Sequence, residues 1–320
     1  MRTENTSGRA LFLTRKLRLQ LLVGAMAFTA ILPTDGFAQN RGPNTVAPVK
    51  GSVFLEELTW VEIRDAIATG HTTVIVPVGS TEQNGQYLAL GKHNFAAAGI
   101  AEGIARELGN AIVAPVISIG PGSVGQARGH GRWPGTMAVR SDVFQAYLGD
   151  IMDNLRFHGF MNIVVVSEHE GTSAPDRPGA SLAAVMAFNN RWSKEGVRAY
   201  FIPEYRDQLE EEGHAAPFMK DALGVVERVT DREVPEAGDS YLLDGRNPNG
   251  THEGYYYSAV TMAVDPAAVR AEERIAAGLA ATYGVDWQSP EKLAENGREL
   301  IAYRAGRVAE VIRERIASGR

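Results

Sequence analysis

Thr72-Thr73-Val74-Ile75-Val76-Pro77-Val78, followed at once by Gly79-Ser80-Thr81-Glu82-Gln83-Asn84-Gly85, is the stretch that decides how this chain folds. The first seven residues carry no charge and are mostly β-branched. That is the length and chemistry of a strand covered on both faces. The loop after it changes abruptly to glycine, carboxylate and amide. Working outward, the same order recurs. Residues 111–117, 162–167 (NIVVVS) and 197–202 read as further strands. Residues 94–108, 141–157 and 181–193 read as the helices between them. Strands that alternate with helices predict a parallel sheet with helices on both faces. Residues 266–283 and 290–316 read as C-terminal helices, each with proline near its first turn. In such a sheet the ligand crevice lies beyond the carboxyl ends of the strands, so the residues just after each strand are the candidates for chemistry.

The N-terminal end has a different character. Arg2, Arg9, Arg15, Lys16 and Arg18 precede an apolar run at 19–32, then the small-residue pattern Gly36-Phe37-Ala38. This is the order of a secretory signal peptide, with cleavage expected after Ala38. The apolar run falls short of the roughly 20 residues a membrane span needs. Residues 39–52 are expected to be a polar tether and residues 53–320 one α/β domain. The exported form is expected to be periplasmic or secreted, with no membrane attachment after cleavage. Removing residues 1–38 takes away five basic and two acidic residues and moves the net charge from −6 to −9. An acidic chain lacks the basic face that nucleic acid requires. With no cysteine in 320 residues there is no disulfide framework, thiolate metal site or cysteine nucleophile.

The post-strand loops gather histidine and carboxylate. Glu82 follows the first strand and His93 lies a little further on, in Leu90-Gly91-Lys92-His93. His130 and Trp133 stand in Gly129-His130-Gly131-Arg132-Trp133-Pro134-Gly135-Thr136. Ser167-Glu168-His169-Glu170 closes the third strand, and His252 sits in a glycine-rich segment. That convergence is the composition of a metal site or an acid–base site. Gly79, Gly85, Gly120 and Gly122 read as turn glycines. The first strand carries no phosphate-binding loop after it, and no G-x-S-x-G turn follows any strand.

Four segments resemble the creatininase (creatinine amidohydrolase) family. Residues 76–93 (VPVGSTEQNGQYLALGKH) resemble its P-x-G-S-x-E-Q-H-G-x-H-L-P-L-x-x-D motif. Residues 130–136 (HGRWPGT), 165–172 (VVSEHEGT) and 252–266 (HEGYYYSAVTMAVDP) resemble the three that follow, in order and spacing. The resemblance covers roughly residues 53–300 and implies a three-layer α/β/α sandwich. It implies a metal-dependent hydrolase acting on a small cyclic amide or a related amide, lactone or imide. Metal-bound water would be the nucleophile and His252 the proton shuttle.

Matched position by position, the first metal set becomes Glu82, His93 and His169, with His93 where the family has its bridging aspartate. The second set becomes Asn84, His93 and Gly171, a site without the carboxylates that two ions need. One zinc per chain is therefore expected, with manganese or iron(II) as alternatives. Glu82 is expected to serve catalysis as well as metal binding. The pocket is expected to include Asn84, His130, Trp133, Glu170 and Tyr257, the last at a position where the family has glutamate. Tyr255, Tyr256 and Tyr257 read either as an aromatic wall or as strand packing. The resemblance also implies a homo-oligomer. Loss of half of a two-metal site is equally what a non-catalytic binding protein on this fold would show. Convergence of Glu82, His93 and His169 is the feature the enzymatic reading requires.

Overall fold

The computed structural model describes residues 51–126, 129–169, 178–203, 205, 254–278, 281–282, 285–286 and 289–319. The expected signal peptide and nearly all of the tether lie outside them. So do Glu170 and His252.

The central strand is β1, Thr73–Val78, and all six of its residues are buried. It pairs in parallel with β2 (Ala111–Val113) on one side and β3 (Asn162–Ser167) on the other. The fourth strand, β4 (Arg198–Phe201), pairs in parallel with β3, giving the order β2-β1-β3-β4. Side chains alternate across the sheet with the period of two that a strand imposes. Ile75, Val164 and Val166 belong to the apolar core on one face, whereas Val74, Val76, Val78, Ile163 and Val165 belong to the core on the other.

Helices cover both faces. On one face lie α1 (Trp60–Ala68), α3 (Ser141–Phe157) and α4 (Ala180–Trp192), which pack through Ile63, Phe144, Leu148, Val185 and Phe188. On the other lie α2 (Lys92–Leu108), α5 (Tyr255–Val264) and α7 (Pro290–Ser318), through Ile100, Ile104, Val260, Leu300 and Val308. This is the expected three-layer α/β/α sandwich. Helix α1 had no counterpart in the sequence reading. Its start is a capping box in which the Thr59 side chain accepts from the Glu62 amide and the Glu62 carboxylate accepts from the Thr59 amide.

The expected helix at 266–283 is not formed. Helix α5 ends at Val264, Pro266–Ala268 makes a single 3-10 turn, and a short α6 (Ala271–Ala276) follows. A two-residue hairpin pairs β5 (Ala281–Thr282) with β6 (Val285–Asp286). The cause is tertiary. The Ala89 amide donates to Ala268 and the Arg270 amide donates to Tyr87, so the backbone around Val269 is extended against the loop after β1. A helix there would forfeit both bonds. Residues 255–257 open helix α5, which corrects the strand-packing alternative for the three tyrosines. Among the described residues no helix is long and apolar enough to cross a membrane.

Candidate metal site

Register puts the site together. Val78 is level with Ser167 across the β1–β3 ladder, so the two chains leave the sheet side by side. Glu82 stands four residues beyond β1, His169 two beyond β3, and His93 is the second residue of α2. Their ligand atoms all lie within 4.8 Å of one another. His93 Nε2 is 2.9 Å from Glu82 Oε1, and His169 Nδ1 is 3.6 Å from Glu82 Oε2. Glu82 and His93 are buried, and His169 is partly exposed.

Each side chain is held by its surroundings. The Glu82 amide donates to Leu90, which closes the loop, and the Asn84 side-chain amide donates to the carbonyls of Glu82, Ala89 and Leu90. Met137 donates its amide to Thr81, and Thr136 Oγ1 accepts from the Gln83 amide, so residues 136–137 brace the same loop. His169 Nε2 lies 3.0 Å from the Pro121 carbonyl. A carbonyl only accepts, so Nε2 carries a proton, and Nδ1 is the ring nitrogen left facing Glu82. Gly120 lies against that ring. A Cβ there would be 2.4 Å from His169 Cδ2, so this glycine is required by close approach and not by a turn.

Electrostatics suit a metal. Burial, helped by the neighbouring Lys92 ammonium, lowers the His93 pKa to about 3 against the opposing pull of Glu82. The imidazole is therefore neutral at physiological pH, the form that ligates. Donor atoms placed about 2.1 Å from a tetrahedral ion sit about 3.4 Å apart. The two imidazoles approach different oxygens of Glu82, at 2.9 and 3.6 Å, and all the ligand atoms lie within 4.8 Å of one another, the range from which one ion can gather them. Two imidazoles and a carboxylate fit one divalent ion.

Beside the set opens a cavity of about 770 Å³, lined by Glu82, His169, Ser123, Gln126 and Thr136 together with apolar and glycine residues of the 119–125 and 137–139 segments. Its described lining has no lysine or arginine.

The remaining expected residues divide. His252 and Glu170 lie outside the described residues, as does the side chain of His130, whose backbone belongs to the 3-10 turn Gly129–Arg132. Asn84 is fully buried, its amide nitrogen braces the loop through three carbonyls, and it is not among the described residues that line the cavity. Trp133 is likewise not part of the described lining, and its indole Nε1 is buried. Tyr257 stands behind the set, its ring edge-on to His93 at 5.4 Å between centroids. Lys92 and Arg304 escaped the sequence reading, although both are buried. A signal for Arg304 was present, since it interrupts the apolar positions Leu300, Ala305 and Val308 on one helix face.

A family model described as creatininase, creatinine amidohydrolase, matches residues 56–300. The chain belongs to the creatininase family. A creatinine amidohydrolase of Pseudomonas putida is 29% identical over 132 residues, 41% of this chain. The aligned part spans half of that relative's length. Solved creatininase structures share the fold. A crystal structure of creatinine amidohydrolase superposes with a TM-score of 0.54 at 19% identity, covering 79% of this chain and 96% of its own. A creatininase mutant of Zn-Zn type gives 0.56 at 19% identity, over 83% and 98%. A manganese creatininase gives 0.55 at 20%, over 83% and 99%.

Proposed function

We propose that this member of the creatininase family is an exported, metal-dependent amidohydrolase that opens a small cyclic amide or a related amide, lactone or imide, using one divalent ion per chain. The observation that carries the reading is the convergence of Glu82, His93 and His169 within 4.8 Å at the carboxyl edge of the sheet. Zinc is the first candidate, because two imidazoles and one carboxylate match its open tetrahedral sites and a relative of the same fold is of Zn-Zn type. Manganese is the second, since another relative is a manganese creatininase. When bound, the ion polarises a substrate carbonyl and brings the pKa of water to about 7.

The chain's own residues do the rest. Glu82 supplies charge that the braced loop holds in place. His169 offers Nδ1 because Pro121 occupies Nε2. The cavity offers a compact polar molecule the Ser123, Gln126 and Thr136 side chains beside Glu82 and His169. His252, by family resemblance, gives its ring proton to the leaving nitrogen. The count of one ion rests on Asn84. In the matching motif that position is a histidine ligand; here it is an asparagine whose amide nitrogen braces the loop, leaving only Oδ1, a weaker donor to zinc than imidazole. The N-terminal segment supports export, with a mature chain starting at Gln39, and the family resemblance supports a homo-oligomer.

The test is the metal content of purified residues 39–320 by mass spectrometry, beside Glu82→Ala and His169→Ala. About one zinc per chain, lost in both variants, together with hydrolysis of a member of a cyclic amide and lactone panel, is the expected result. Two ions per chain would overturn the mononuclear assignment. No ion after incubation with excess zinc or manganese would favour a binding protein on the same fold.

A further inference from the structure

Behind the candidate metal set lies a second cluster that the reaction does not use directly. Glu168 continues β3, its amide donating to Val78, and its side chain is fully buried. Its Oε1 accepts from Arg304 Nη1 at 2.8 Å and from the Tyr205 hydroxyl at 2.8 Å. Arg304 is fixed in turn, donating through Nε to the Tyr205 carbonyl and through Nη1 to the Tyr256 hydroxyl, with its guanidinium 4.1 Å from the Tyr205 ring centroid. Every one of these groups is at least nine-tenths buried. The carboxylate therefore has one place to be.

The other oxygen of Glu168 leads back to the site. Oε2 accepts from the Tyr257 hydroxyl at 3.1 Å. The Tyr257 ring carries the Lys92 ammonium over its face at 4.1 Å and meets the His93 imidazole edge-on, with the planes at 76°. Tyr257 is thus held at its hydroxyl by a clamped carboxylate, at its face by a buried cation and edge-on by the Tyr256 ring at 5.2 Å between centroids, and it in turn abuts His93.

We propose that Glu168 and Tyr257 are positioning residues: the clamped carboxylate sets the Tyr257 ring, and the ring sets the plane in which His93 presents Nε2 to an ion shared with Glu82 and His169. This inference rests on the metal-dependent reading above. It ascribes to the C-terminal helix, through Arg304, a part in shaping a site at the far edge of the sheet. The partners around a ligand commonly change metal affinity 10- to 100-fold when removed.

The decisive variant is Tyr257→Phe, which keeps the ring and deletes one hydroxyl. Tyr255→Phe is its control: that hydroxyl is also buried, but it bonds Asn296. Zinc affinity is measured by competition with a chromophoric chelator, and the visible absorption of the cobalt(II)-loaded protein reports ligand geometry. The expected result is about tenfold weaker zinc binding and an altered cobalt spectrum in Tyr257→Phe, with Tyr255→Phe like wild type. Glu168→Gln, which keeps an oxygen for the hydroxyl, should bind zinc more tightly than Glu168→Ala. Should either Glu168 variant fail to fold, Tyr257→Phe still decides. Wild-type protein that binds zinc and cobalt, with a Tyr257→Phe variant of unchanged affinity and spectrum, would overturn the positioning role alone. Wild-type protein that binds neither ion would remove the metal-dependent reading and this inference with it.

Discussion

Gly120 and His169 show how narrowly the candidate site is cut. The imidazole lies where a Cβ on residue 120 would be, 2.4 Å from Cδ2. Gly120→Ala must therefore push the ring off the Pro121 carbonyl or shift the loop. Zinc affinity is expected to fall at least about tenfold while the far-ultraviolet circular dichroism spectrum is retained. A chelator competition titration measures the first and would contradict the geometry by finding no change. His93 supports a different prediction. Its folded-state pKa is lowered to about 3, chiefly by burial, from an ordinary 6.5. Below pH 6.5 the unfolded chain takes up a proton that the folded metal-free chain refuses, so stability present above pH 6.5 is lost as pH falls toward 3. The slope reaches up to about 1.4 kcal/mol per pH unit for one proton. Urea midpoints of metal-free protein between pH 6.5 and 5 should fall more steeply for wild type than for His93→Gln. Parallel curves would mean that His93 is not held neutral. Neither the close approach at Gly120 nor the burial that holds His93 neutral is readable at residue level from the chain, where Gly120 resembles any turn glycine and His93 is marked as a ligand only by the motif it matches.

Among the elements, the packing of α5 on α7 is the most demanding. A Cβ on Gly297 would stand 1.9 Å from the Ala259 carbonyl oxygen, a backbone atom that cannot swing aside. Gly297→Ala should cost about 3 kcal/mol, the upper end of overpacking, although alanine is the better helix former. Equilibrium urea unfolding measures this, and a variant as stable as wild type would show that the two helices are free to separate. Helix periodicity located α2, α3, α4 and α7 to within about two residues at their ends, because their apolar stripes face one core layer each. It failed at 266–283. There the alanine-rich composition favours a helix, but hydrogen bonds from Ala89 and to Tyr87 hold the backbone extended around Val269. Propensity is a weak prior, and a partner 180 residues away in sequence outweighs it.

Across the whole molecule, one buried ion pair joins the C-terminal helix to the sheet. Glu168 and Arg304 are 136 residues apart, and both are almost wholly buried. Removing one partner leaves the other charged and dry. Arg304→Met should therefore destabilise the fold by about 3–5 kcal/mol, while the double change Glu168→Gln with Arg304→Met should recover part of the loss. Thermal and urea unfolding of the two variants test this, and a double variant no more stable than the single one would remove the pairing argument. By itself the sequence determined the strand–helix alternation of a parallel sheet, because strand and helix periods are local patterns, and its resemblance to the creatininase motifs implied the three layers and the ligand set Glu82, His93 and His169. Only the tertiary structure decided that Asn84 braces a loop, that Gly120 makes room for a ring, and that Glu168 is clamped behind the site by Arg304. Those assignments depend on which side chains meet across the sheet edge, and such meetings are set by strand register and helix packing between residues far apart in the chain.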